Sequence, residues 1–207
     1  MIKNDISFSF VGVLSTPIER IPNFDNSFCQ NLFGIPAETQ GFFTQEGFVI
    51  AVNNKPIPVV VVNANKIVIR ATKETLAEIT EKIKQELEKY KISMALYAFG
   101  MNCEIEYIDL EDDSRSWLWN RFIKDDINPN SKFKLCDSLK FNLTQDDDSI
   151  LNVVIEPRVG KRNGIFIGIN HHHNITLSSI PEKDDIERFI EDTSSVVGCT
   201  LNNLIGE

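Results

Sequence analysis

The sequence predicts an α+β fold: antiparallel β-meanders with long amphipathic helices packed on one face. Three observations predict it. Short alternating segments are separated by turn-forming clusters such as Asn53-Asn54-Lys55-Pro56 and Gly160-Lys161-Arg162-Asn163-Gly164. Two longer segments carry apolar residues at spacings of three and four. The composition is that of a globular chain: 207 residues, 42% apolar, 25% charged, with only ten glycines and eight prolines. That excludes a collagen-like or disordered chain and fits a single domain over 1–207.

Along the chain, Ile6 to Leu14 places Ile6, Phe8 and Phe10 on one face and Ser7 and Ser9 on the other, the period of a half-buried strand. Its start, Met1 to Leu14, lacks the continuous apolar stretch of a signal peptide. Pro17 and Pro22 break regular structure, and a short helix is expected between Phe24 and Phe33, ended by Gly34 and Pro36. Strands follow over Phe42–Val52, with a bend at Glu46-Gly47, then over Ile57–Asn63 and Lys66–Ala71. From Lys73 to Tyr90 the stripe Leu76, Ile79, Ile83, Leu87 and Tyr90 predicts a helix capped by Thr72. Glu78 with Lys82 and Lys84 with Glu88 make i,i+4 charge pairs on its wet side. Ile92 to Phe99 is apolar at both parities and reads as a central strand covered on both faces, while Met101 to Tyr107 alternates.

A second helix is expected from Ser114 to about Lys124, then a loop over Asp126–Asn130. Strands follow at Lys132–Leu143, Ile150–Glu156 and Gly164–His173. The last helix opens at Ser179-Ile180-Pro181-Glu182, which has the form of a capping box, and its stripe is Ile186, Phe189, Ile190, Val197, Leu201 and Leu204. A meander followed by an amphipathic helix thus occurs twice, which suggests two similar βββα halves at 41–110 and 131–207.

The charge is acidic: 21 Lys plus Arg against 30 Asp plus Glu, a net −9. Phosphate backbones repel such a chain at long range, so nucleic acid and anionic membranes are disfavoured partners. No apolar run approaches the length of a bilayer span. Cys29, Cys103, Cys136 and Cys199 are scattered without a Cys-x-x-Cys pair, so they read as free thiols in a reducing compartment, and the expected location is cytoplasmic.

All three histidines stand together at 171–173. On a strand, His171 and His173 point the same way from backbone positions about 6.5–7 Å apart, a spacing that lets two imidazoles share a divalent metal such as Zn. Glu104 and Glu106, also on one strand face, are the candidate further ligands. Asp146-Asp147-Asp148 reads as a solvated turn, and Arg158, Lys161 and Arg162 form a basic hairpin tip suited to an acidic partner. No Gly-x-Ser-x-Gly elbow, P-loop or dinucleotide fingerprint is present. Both tryptophans, Trp117 and Trp119, lie beside Arg121, and a helix sets the two rings 200° apart, so they cannot both enter one core. Trp and Arg favour interface centres. The expected function is therefore a non-catalytic, homodimeric protein–protein interaction module working through an aromatic or sheet-edge surface. The alternative is a metal-dependent hydrolase built on the His-x-His pair.

Overall fold

The computed structural model describes residues 1–123, 135–146 and 148–205. Its elements run β1 (Ile2–Leu14), α1 (Asn26–Asn31), β2 (Thr39–Thr44), β3 (Gly47–Val52), β4 (Val59–Val62), β5 (Lys66–Ala71), α2 (Leu76–Lys89), β6 (Leu96–Ile108), α3 (Ser114–Phe122), β7 (Leu139–Thr144), β8 (Ile150–Pro157), β9 (Ile165–His173) and α4 (Lys183–Ile205). The strands form one nine-stranded antiparallel sheet in the order β2-β3-β4-β5-β1-β6-β9-β8-β7. The protein is thus α+β with meander-like strand connections. Among the described residues no helix is long and apolar enough to cross a membrane.

The chain separates into two compact units. The first comprises 7–102 with 172–194, and the second 1–6 with 103–171 and 195–207. Strands β1, β6 and β9 and helix α4 each contribute residues to both.

In the first unit, Phe8, Phe10, Ile67, Ile69, Val60, Val62, Phe48 and Ile50 form buried rows that run strand to strand in register. Phe10 stacks on Phe99 at 6.1 Å, and Phe189 of α4 reaches Phe99 at 4.7 Å. The stripe Leu76, Ile79, Ile83 and Leu87 is buried, as its spacing predicts, and Tyr90 is 40% exposed. In the second unit, Cys103, Ile105 and Tyr107 of β6, Leu151, Val153 and Ile155 of β8, and Ile165, Ile167 and Ile169 of β9 are buried, with Leu118 of α3 and Val197 and Leu201 of α4.

Several expected boundaries move for identifiable reasons. The strand expected over Phe42–Val52 is two strands joined at Gln45-Glu46, with Thr44 paired to Gly47. Gly47 has φ +140°, and a Cβ there would sit 2.3 Å from the Val62 carbonyl oxygen, so only glycine fits. The ladder expected from Ile57 begins at Val59, because Pro58 has no N–H to donate. Thr72 does not cap α2 through its side chain: its carbonyl accepts from the amides of Thr75 and Leu76, and the helix starts at Leu76. Glu78 and Lys82 pair at 2.6 Å, but Lys84 is buried and its ammonium meets Glu182 instead of Glu88. The same contact takes Glu182 away from a capping box, and α4 begins at Lys183.

The two strands expected at 92–99 and 101–107 are one strand, β6. Its buried residues are even-numbered at Leu96 and Ala98, run unbroken from Ala98 to Met101, and are odd-numbered from Met101 to Tyr107, while Tyr97 is 57% exposed rather than covered. Strand β7 begins at Leu139, seven residues after its expected start at Lys132; residues 132–134, the loop over Asp126–Asn130 and Asp147 lie outside the described residues, as does the side chain of Leu204.

Candidate functional site

Strand β2 stands at one end of the sheet. Its sequence, Thr-Gln-Gly-Phe-Phe-Thr, holds no charge and no proline, the two commonest guards of a free edge. The backbone direction of each β2 residue follows from one bond. Asn53 N donates to Glu38 O at 2.8 Å, which continues the Thr39–Val52 register by one pair. Hydrogen-bonded pairs alternate in an antiparallel ladder, so Gln40, Phe42 and Thr44 turn their backbone groups to β3, and Gly41 and Phe43 turn theirs away from it.

The side chains follow the same alternation. Phe43 packs edge-on against Phe48 at 5.0 Å and remains 55% exposed. Phe42, on the other face, is 41% exposed. Gly41 shares the face of Phe43 and lies close under α1: a Cβ there would come within 2.6 Å of Cys29 Sγ and 2.8 Å of the Phe48 ring. From Phe42 a cross-strand row runs through Val49, Val61, Val68 and Val11, all half-exposed. This aliphatic row is the reverse of the buried one through Phe48, Val62 and Ile67.

Burial alternates on β9 as expected, with His171 and His173 in the buried row. His171 Nε2 lies 3.0 Å from Gln145 Nε2 and 3.1 Å from Ser149 Oγ, and Gln145 Nε2 donates to Ser149 Oγ at 3.1 Å. This triangle ties the β7–β8 turn, closed by Gln145 N donating to Ser149 O, to the end of β9. Both Ser149 and His171 are buried. His173 stacks on Phe99 at 4.7 Å and 14° between planes.

Glu104 and Glu106 occupy the half-exposed row of β6, opposite in parity to its buried row. Glu106 accepts from Arg158 Nε at 2.9 Å and Lys161 Nζ at 3.3 Å. Among the described residues no three His, Cys, Asp or Glu side chains come together as metal ligands.

Trp117 and Trp119 are both half-buried on α3, and the Trp117 ring meets Phe122 at 6.0 Å. Arg121 is exposed in the last turn of that helix. The basic hairpin lines a shallow cleft of about 510 Å³ with Asp113, Arg115 and Pro157. Its cations have acidic neighbours: Arg158 and Lys161 share Glu106, and Arg115 Nη2 donates to Asp137 at 2.9 Å. Arg162 contributes its carbonyl, which accepts from Ser114 N and Oγ at 2.9 and 2.6 Å.

Sequence reasoning overlooked Gly41, Phe42 and Phe43. Their signal was present, because two adjacent aromatics in an uncharged run before a turn are unusual on a guarded edge. Comparison with known families finds no family model that matches the chain, and comparison with curated proteins finds no relative.

Proposed function

We propose that this protein is a non-catalytic interaction module that works as a homodimer, associating through the exposed edge of its sheet. In this reading α2 and the first half of α4 lie over the buried rows, which leaves the Phe42–Val11 row and the β2 edge as the surfaces for contact. The observation that carries it is β2: an uncharged end strand with two exposed phenylalanines and outward backbone groups at Gly41 and Phe43. Unpaired strand edges of this kind are templates for further pairing. The Trp117–Trp119 segment is a weaker candidate, since both residues are half-buried and the Trp117 ring packs against Phe122.

Sedimentation equilibrium of the purified chain tests the reading. The expected mass is twice the 23.5 kDa of one chain. A single species at 23.5 kDa up to about 100 μM protein, a range in which an interface of standard size is populated, removes it.

A further inference from the structure

We infer that the β2 edge pairs with β2 of a second copy, antiparallel about a two-fold axis passing beside Phe42, so that Phe42 faces Phe42 and Gly41 faces Phe43 of the other copy. The inference rests on the homodimer reading and specifies its interface.

Hydrogen bonding selects this register. A two-fold axis perpendicular to the sheet keeps each face of one copy continuous with the same face of the other. Opposed residues must then share parity, so the axis passes beside a residue rather than between two; a pairing centred on Gly41 would need Thr39 opposite Phe43, and Thr39 is only 4% exposed, which leaves Phe42 or Phe43 as the centre. Gly41 and Phe43 are the residues whose N–H and C=O groups turn outward, as the Asn53–Glu38 bond fixes. Centring on Phe42 opposes Gly41 to Phe43 twice, and each such pair exchanges two bonds. Centring on Phe43 gives one such pair within the strand and opposes Gly41 to Gln45 in the turn.

The side chains select the same register. On one face each Phe43 ring, 55% exposed, lies opposite Gly41, which has no side chain of its own and is backed by the buried Cys29 and Phe48. On the other face the two Phe42 rings meet, and the row Val11–Val68–Val61–Val49–Phe42 continues into its own copy. Charge does not oppose the contact locally, because β2 is neutral and Glu38, just before it, is paired to Lys55 at 2.8 Å. A second copy is the one partner whose matching glycine and phenylalanines are already present.

Disulfide trapping tests the register. In a Cys199→Ser background, which removes the exposed native thiol, Phe42→Cys places two sulfurs at a non-hydrogen-bonded pair whose Cα atoms are about 4.5 Å apart, within disulfide range. Phe43→Cys places them on a diagonal beyond about 7 Å, outside that range. Mild oxidation of the full chain is expected to link Phe42→Cys into a dimer on a non-reducing gel at least tenfold faster than Phe43→Cys. A second variant, Phe43→Lys, adds an edge charge at an exposed position. It is expected to raise the dimer dissociation constant at least tenfold with an unchanged far-ultraviolet circular dichroism spectrum. A parent that sediments as a dimer but shows no linkage through Phe42→Cys, or equal linkage through both, overturns the β2 pairing and leaves the homodimer to another surface. A monomeric parent overturns both the pairing and the homodimer.

Discussion

Glu106 shows how one side chain can read as a ligand in the sequence and serve another purpose in the fold. Its side chain is 13% exposed, and Arg158 and Lys161 both donate to it. Burial pushes its pKa up, but the hydrogen bonds from Arg158 and Lys161 and the charge of Lys161 outweigh burial and hold it below the ordinary carboxylate value. A carboxylate with a lowered folded-state pKa contributes stability above its unfolded value, about 4.3, and loses it as pH falls through the folded one. Arg158→Ala is expected to destabilise the protein by about 1–2 kcal/mol at neutral pH, between the values for exposed and buried pairs. Urea unfolding should show that difference shrinking as the pH falls below the ordinary carboxylate value of about 4.3; a difference that persists unchanged in acid would mean that Arg158 acts through packing alone. The sequence showed that Glu104 and Glu106 share a row and that His171 and His173 share another. The alternation also put the histidines on a core-facing row and the glutamates opposite Met101, Cys103, Ile105 and Tyr107; it could not show what stands near either row, because that depends on elements far away in the chain.

At the scale of elements, legibility followed periodicity. The α2 stripe and the β9 alternation were plain because each keeps one period throughout. Strand β6 was read as two because its buried parity changes between Ala98 and Met101, and a change of phase looks like an interruption. The β2–β3 hairpin showed in the sequence only as a bend at Glu46-Gly47 within one strand, because Gln45 and Glu46 interrupt an apolar run too briefly to signal a two-residue turn. The phase of β6 also makes a prediction. Deleting Gly100 moves Met101, Cys103, Ile105 and Tyr107 to the opposite side of the strand. The buried set includes Met101 and Tyr107 at 0% exposure, so the deletion is expected to abolish cooperative unfolding in a thermal melt. Gly100→Ala keeps the phase and is expected to retain the transition. Loss of cooperativity in both variants would attribute the effect to the space at Gly100 rather than to phase.

For the whole molecule, net charge and strand order act against each other. Two chains at −9 repel at long range, whereas the strand proposed to join them is neutral. The screening length falls from about 30 Å at 0.01 M salt to about 8 Å at 0.15 M, so added salt weakens the repulsion and leaves strand pairing intact. The dimer dissociation constant is expected to fall several-fold over that range in sedimentation experiments. A rise would point to an interface of opposite charges, such as the Arg158–Arg162 tip against an acidic surface. The strand order itself, with β1 beside β6 and β2 and β7 at the ends, was beyond the reach of the sequence because it depends on pairings distant along the chain. The two rims of that sheet are unlike. Strand β7 carries Lys140, and Asp146 follows just beyond it, while β2 carries no charge at all. On the proposed pairing, growth by adding copies would use the β2 rim alone, and two chains meeting would consume it: assembly would close at a pair, where a sheet adhesive at both rims would polymerise into fibres.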